Sequence, residues 1–254
     1  MAKINKKIDI KDYASVFEEK GREGLLQLLK TSPIPDEQLL SNIQLFIDSK
    51  NLSRILFMNE LYKMAIDVQG VIMEFGTRWG PNAAQFAALR GIYEPYNRHK
   101  KIIAFDTFKG FPCVEKEDGD SDLMVPGQLE LPENYEVFLE KIMQLQESVN
   151  PLNHIQKFEV IKGDAILKLA DYLNDHPETI VALAYFDFDI YKPTKDCLDL
   201  IASRLTKGSV IGFDELNDPD SPGETTALME TFGLRNISLK RYRYASRVSY
   251  FIVE

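Results

Sequence analysis

Four carboxylates stand in two short stretches, Asp187-Phe188-Asp189 and Asp214-Glu215. Each stretch closes an apolar run of strand length, TIVALAYFDFD over 179–189 and KGSVIGFDE over 207–215. The first run is nearly continuously apolar, as a strand buried on both faces is. If the two runs lie in one parallel sheet, all four acids arrive at one rim. Packing that much like charge together is unfavourable unless a cation compensates it, and a ligand set made only of oxygens suits a hard ion: Mg²⁺, with Mn²⁺ or Ca²⁺ as alternatives. The period of two along a strand points Asp187 and Asp189 the same way unless the chain is already turning. One can then ligate while the other acts as a base. Against this stands the habit of strand ends to collect aspartates as loop acids and helix caps.

Three more acids end earlier runs. Glu74 closes GVIMEF (70–75) and leads into Gly76-Thr77-Arg78-Trp79-Gly80, where glycines let a ligand approach the backbone closely. A pyrophosphate site would want G-x-G-x-x-G and a helix N-terminus free to cradle phosphate, whereas here the spacing is G-x-x-x-G after a carboxylate. That combination suits a ligand with a ribose and a cationic centre but no phosphate, such as S-adenosylmethionine. Asp106 closes KIIAFD (101–106), where an acid can accept both ribose hydroxyls. Asp164, after the third run FEVIK, can accept from an adenine amino group or merely cap the next helix. Thr77, Arg78, Trp79, Thr107 and Ala165 beside these acids, together with Asp187, complete the expected cofactor pocket.

Such acids need strands to carry them. From Gly70 onward, short apolar runs alternate with helical stretches at 81–91, after 164, at 194–205 and at 224–232, the pattern of βαβ units and a mostly parallel sheet. Two alternating runs at the end, SLKRYRY (238–244) and VSYFIV (248–253), suit an antiparallel hairpin. The first 66 residues carry helical periodicity without strand signals, with a break and a new helix start at SPIPDE (32–37). About fifty residues, 107–157, do not fit the alternation: they hold the acidic stretch EKEDGDSD and a helical pattern over 133–146. A loop of that length inside a compact domain reads as a lid.

A chain of 254 residues supports one sizeable core plus an appendage. Its net charge of −9 and pI near 5.0 repel polyphosphate backbones and anionic lipid, which excludes nucleic acid as a partner. No apolar run approaches bilayer length, so the chain reads as cytoplasmic and not membrane-inserted. Cys113 and Cys197 lie in no metal or disulfide spacing and read as reduced bystanders. His99, His154 and His176 sit in polar contexts without ligand spacing, with His154 kept as an alternative base. The basic cluster Lys240, Arg241, Arg243 and Arg247 reads as a solvated hairpin, with phosphates of a nucleotide-linked sugar as the alternative ligand. Glu224 reads as a first-turn helix acid.

Taken in order, EFGTRWG, AFDTFKGFP, the strand-end KGD, FDFDIYKPT and VIGFDE resemble the macrocin O-methyltransferase family, in its surface-polysaccharide type. Its members are S-adenosylmethionine- and metal-dependent methyltransferases of sugars and antibiotics. The resemblance covers about Leu52 to the C-terminus. It implies an α/β fold, a Rossmann-like seven-stranded methyltransferase sheet with a terminal antiparallel hairpin over 67–254 and a lid inserted at about 107–157. An N-terminal helical extension over 1–66 would build substrate and dimer contacts. It implies that Glu74, Gly76 and Asp106 hold the cofactor and that Asp164 lies by its adenine. It implies that Asp187, Asp214 and Glu215 bind Mg²⁺, and that Asp189 is the general base. The expected reaction methylates a hydroxyl of a sugar or nucleotide-sugar destined for a capsule, lipopolysaccharide or related glycan, with a homodimer as the expected assembly. Two positions depart from the family pattern: Arg78-Trp79 stands where Trp-Arg is common, and Glu215 where Asp is common. Competing readings are N-methylation of an amino sugar or amide, which needs no metal, and a non-catalytic nucleoside sensor, which has no use for four acids beside its ligand. A nicotinamide dehydrogenase is disfavoured by the missing third glycine.

Overall fold

A computed structural model describes residues 14–254. The first part of the expected N-terminal helical extension over 1–66 falls on residues 1–13, outside the described residues. Helix α1 (Val16–Lys30) starts on a capping box in which Ser15 and Glu18 exchange backbone donors. A short α2 (Asp36–Leu39) follows Pro35 and tightens into a 3₁₀ turn, Leu40–Phe46. Helix α3 (Ser49–Met64) is capped by Asp48, whose carboxylate accepts the Asn51 N–H at 2.8 Å. Neither α1 nor the 3₁₀ turn buries a residue, whereas α3 buries Phe57, Met58, Leu61 and Tyr62. The helical stretch at the start therefore splits in function: α3 belongs to the core of the domain, and α1 stands off it.

The alternation read after Gly70 is present. Its elements are β1 (Val71–Phe75), α4 (Pro81–Tyr93), β2 (Ile102–Asp106), α5 (Tyr135–Ser148), β3 (Phe158–Lys162), α6 (Ala165–Asp175), β4 (Val181–Phe186), α7 (Tyr191–Ile201), β5 (Leu205–Phe213), α8 (Gly223–Thr231), β6 (Lys240–Arg241) and β7 (Ser249–Ile252). They form one seven-stranded sheet in the order β3-β2-β1-β4-β5-β7-β6, parallel up to β5 and antiparallel from there. Helices α3, α4 and α5 cover one face through Phe57, Phe86 and Met143, and α6, α7 and α8 cover the other through Leu169, Leu198 and Leu228. All six residues of β4 are buried, as a strand with helices on both faces requires. The terminal hairpin is shorter than its pattern, because β6 pairs through only two exposed residues. The helix read at 194–205 sits earlier, since Pro193 is accommodated in its first turn and the chain re-enters the sheet at Leu205.

Strand order reverses between β1 and β4, so the crossovers leave that pair in opposite directions and open a crevice at its carboxyl ends. Register then lines the crevice. Phe105, Phe75, Phe186 and Phe213 are partners across four adjacent strands, with stacked rings 5.2, 4.7 and 5.5 Å apart. The next residue on each strand is Asp106, Gly76, Asp187 or Asp214, so one apolar rung fixes four polar positions in a row.

The inserted segment is packed onto the domain. Phe111 and Met124 bury against Ile190. Asp118, fully buried, accepts the Tyr191 N–H through Oδ1 at 2.5 Å and the Glu115 N–H through Oδ2 at 2.7 Å. The first half of the insertion is thereby fastened to the start of α7, two residues after the FDFD stretch ends at Asp189.

Candidate active site

A cavity of about 1580 Å³ opens over the crevice, floored by the carboxyl ends of β1, β2, β4 and β5 and walled by α1, α3 and the insertion. Its cofactor-like half centres on β1 and β2. Gly76 adopts φ 85°, and a Cβ there would collide with the Asp187 carbonyl oxygen, so this turn admits only glycine. Arg78 is left-handed at φ 48° and its N–H donates to Asp106 Oδ2 at 2.7 Å, while the Phe108 N–H donates to Oδ1 at 2.6 Å. Burial raises the Asp106 carboxyl above its ordinary value despite these two donors. Asp164 caps α6 by accepting the Ile166 N–H at 2.9 Å, and Ala165 follows it in the cavity wall. The Thr107 hydroxyl closes the turn after β2 by donating to the Gly110 carbonyl. Trp79 is half exposed and meets Tyr135 edge-on at 4.9 Å, so the insertion is braced against the β1 turn through this side chain.

Glu74 is placed differently from a strand-end acid facing a ligand. It is fully buried behind the cavity wall, with Thr77 Oγ1 donating to Oε2 at 2.7 Å and Asn82 Nδ2 donating to Oε1 at 2.9 Å. Burial pushes it up to about 7. The lining at this point is Thr77 and Asn82, which Glu74 orients.

The acidic half lies over β4 and β5. Strand β4 ends at Phe186, so the chain has left the sheet before Asp187-Phe188-Asp189, and Asp189 is left-handed at φ 62°. The shared orientation that strand alternation would give Asp187 and Asp189 does not apply. Asp187, Asp214 and Asp189 nevertheless line one cavity with Glu215. Arg54, from α3, lies between two of them: Nη2 donates to Asp187 Oδ2 at 2.5 Å and Nη1 to Asp214 Oδ1 at 2.6 Å. The Tyr185 hydroxyl also donates to Asp214 Oδ1, at 2.5 Å. Glu215 Oε1 pairs with Arg247 at 2.8 Å, and its Oε2 is buried without a hydrogen-bond partner. Behind them Glu224 is fully buried, accepting the Phe188 N–H (3.0 Å) and Asp189 N–H (3.3 Å) on Oε1 and the Glu215 N–H (3.3 Å) on Oε2. Burial first and mutual repulsion second raise Asp187, Glu215 and Glu224 far above ordinary carboxylate values. Asp189 is pushed up to about 7, again chiefly by burial.

Among the described residues no three acid, His or Cys side chains are gathered into a ready ligand cage, and the cation between Asp187 and Asp214 is a guanidinium. The donor chemistry still fits a hard dication. All the groups are oxygens, the three carboxylates Asp187, Asp214 and Glu215 outnumber the two arginines that pair with them, and Glu215 Oε2 is left without a donor. Asp187, Asp214 and Glu215 are the residues that could hold it.

Several residues here escape a reading of the sequence alone. Arg54 stands 133 positions before Asp187, in a helix whose apolar spacing carries no sign of an acidic partner. Asn82 and Tyr185 are equally silent, one inside a helix and the other inside a strand. Arg247 pairs with Glu215 and Asp218 while its side chain stays about half exposed, and Glu224 is the first-turn acid of α8 as read but is fully buried as an acceptor. No local spacing signals either.

No family model and no curated protein sequence matches the chain. Solved structures do. The crystal structure of CalS11, calicheamicin methyltransferase, is 37% identical, with a TM-score of 0.93 over 99% of this chain and 98% of that one. The apo structure of CalS11, described as a TDP-rhamnose 3'-O-methyltransferase of calicheamicin biosynthesis, is 36% identical, with a TM-score of 0.84 over 95% of this chain and 96% of that one. The O-methyltransferase NovP shares the fold at 17% identity and a TM-score of 0.58, over 79% of each chain. With more than a third of its residues identical across nearly its full length to CalS11, and with the acids of the crevice set out in the order its motifs require, the chain is a methyltransferase of the macrocin-type sugar O-methyltransferase family.

Proposed function

We propose that the protein transfers a methyl group from S-adenosylmethionine to a hydroxyl of a sugar, the sugar being presented as a nucleotide conjugate, and that the reaction depends on Mg²⁺. The observation that carries this reading is one cavity holding a glycine turn and a β2-end acid at one side and Asp189, buried among carboxylates, at the other. The similarity to CalS11 supports a nucleotide-sugar acceptor. A role in a bacterial surface glycan rests on the motif resemblance and is part of the proposal.

In this reading Asp106 accepts the ribose hydroxyls, Asp164 and Ala165 border the adenine, and Gly76 lets the cofactor lie on the backbone. Thr77 and Asn82, held by Glu74, face its cationic end, with Arg78, Trp79, Thr107 and Asp187 completing the pocket. S-adenosylmethionine supplies the methyl as a cation bound to sulfur. Mg²⁺, held by Asp187, Asp214 and Glu215, would supply a lowered pKa for the acceptor hydroxyl. Asp189 takes the hydroxyl proton as the new C–O bond forms and the C–S bond breaks, so proton, methyl and sulfur lone pair are all accounted for. A base pushed up to about 7 suits this task, being largely ionised just above neutrality yet basic enough to hold the proton. Glu224 fixes the backbone of that base. The insertion, fastened through Asp118 and Tyr135, closes the site from water, and α1 and α3 wall the acceptor side. Alignment of oxygen, carbon and sulfur can contribute roughly 7–11 kcal/mol through proximity.

The test is a survey of nucleotide-linked hexoses and free glycosides with S-adenosylmethionine and Mg²⁺, read by mass spectrometry for one added methyl. Product from a nucleotide sugar, with stabilisation of the protein by S-adenosylhomocysteine, supports the reading. No shift with S-adenosylhomocysteine and no methylated sugar would remove it.

A further inference from the structure

The cation among the crevice carboxylates comes from outside the sheet. Arg54 stands on α3, and its guanidinium spans the ends of β4 and β5 by taking one oxygen from Asp187 and one from Asp214, at 2.5 and 2.6 Å. These are two of the three residues proposed to hold Mg²⁺. A planar fork across that pair takes one oxygen of each carboxylate, and as a positive charge it would repel a second cation brought to the same groups at short range. Removing it with nothing in its place would leave two neighbouring like charges uncompensated, Asp214 buried and Asp187 partly so.

Arg54 is also built to leave. Its remaining polar contact, Nε to Asn82 Oδ1, is long at 3.4 Å, and its side chain is 35% exposed on the cavity wall. The cavity that Arg54 lines is also lined by Lys50, Asn51 and Ser53 of the same helix. A long arginine side chain reaches that space by turning about its own bonds, with no backbone movement required.

We propose that Arg54 is a resident counter-ion which a divalent cation displaces from Asp187 and Asp214, so that the metal-free and metal-bound centres are two arrangements of one carboxylate pair. The inference rests on the Mg²⁺ part of the proposed function. It makes Arg54 a residue that sets metal affinity by competition. It also ties occupancy of the centre to α3, which walls the acceptor side of the cavity.

The experiment uses the full chain and Mn²⁺ alone as the probe. Free Mn²⁺ is followed by electron paramagnetic resonance in titrations of wild type and Arg54→Gln. In parallel, wild type is modified with phenylglyoxal, with and without saturating Mn²⁺, and the rate at Arg54 is read by peptide mapping. Displacement requires Arg54→Gln to bind Mn²⁺ at least tenfold more tightly, and Arg54 in wild type to react several-fold faster with metal present. Equal or weaker binding by Arg54→Gln, or an Arg54 reaction rate that metal leaves unchanged or lowers, overturns the inference. Should Arg54→Gln not fold, the modification rate in wild type decides alone. Wild type that binds Mn²⁺ with Arg54 unmoved sinks only the displacement. Wild type that binds no Mn²⁺ sinks the displacement and the metal part of the functional reading together.

Discussion

Glu224 accepts the backbone N–H of Asp189 at 3.3 Å, from a fully buried position directly behind the left-handed turn that presents the Asp189 carboxyl to the cavity. The same carboxyl group also holds Phe188 and Glu215 by their N–H groups, so one side chain ties the turn after β4 to the turn after β5. Glutamine can replace only one of the two acceptor oxygens. Glu224→Gln is therefore expected to lower kcat about 10- to 100-fold, with S-adenosylhomocysteine affinity within a factor of about two of wild type. It should also lower Tm by several degrees, since one lost buried acceptor costs about 1–3 kcal/mol. Unchanged kcat with a lowered Tm would reduce Glu224 to a purely structural role.

Asp189→Asn removes the proposed base while keeping the shape of the turn. Methyl transfer is expected to fall by roughly 10²- to 10⁴-fold, with cofactor binding by calorimetry unaltered. Turnover near the wild-type level would remove Asp189 as the base; His154, in the turn before the amino end of β3, does not line the cavity and offers no substitute.

The pH dependence follows from two carboxyls pushed up to about 7, Asp189 and Glu74. In the unfolded chain such groups titrate near 3.9 and 4.3. Between about pH 4 and 7 the folded state therefore binds more protons than the unfolded one, and stability contributed by these groups falls as pH rises through that window. Thermal melts in EDTA should show Tm declining from pH 5.5 to 8. The rate should run the opposite way, rising with pH as Asp189 ionises. Asp189→Asn should flatten that acidic limb and part of the Tm decline, and a limb that persists in the variant would point to another group.

Much of this site is legible in the sequence, and the parts that are not share a cause. Asp106, Asp187 and Asp214 can be read because each follows an apolar run whose length and composition fix where a strand ends, and the phenylalanine rung in register then aligns them. Gly76 and Asp164 are legible for the same local reason, one as a turn glycine and the other as a cap. Arg54, Tyr185, Glu224 and Arg247 act through partners brought close only by folding, so their neighbours along the chain do not reveal those pairings. The charge arithmetic of the rim was visible in part: four acids imply a compensating cation, but which cation stands there depends on α3 docking onto the sheet.

Gly76→Ala should separate cofactor binding from the acidic rim. The left-handed backbone costs about 1–2 kcal/mol with a Cβ, and the collision with the Asp187 carbonyl adds to it. S-adenosylhomocysteine binding is expected to weaken at least tenfold by calorimetry. Retention of wild-type affinity would mean the cofactor does not lie on this turn.

Asp118→Ala cuts the fastening between the insertion and α7 and leaves the Tyr191 and Glu115 N–H groups without their acceptor. Limited proteolysis within 112–132 should accelerate and KM for the acceptor should rise, with cofactor affinity less affected. Proteolysis at the wild-type rate would show that the packing of Phe111 and Met124 holds the segment without Asp118.

The most direct test of a metal-assisted O-methylation with Asp189 as base is to measure methyl transfer to a nucleotide sugar in Mg²⁺, in EDTA, and in EDTA with Mn²⁺ restored, and to identify the methylated atom in the product. The expected result is an O-methyl sugar formed with Mg²⁺, suppressed at least a hundredfold in EDTA and recovered with Mn²⁺. Transfer that proceeds undiminished in EDTA, or a product methylated on nitrogen, would contradict it.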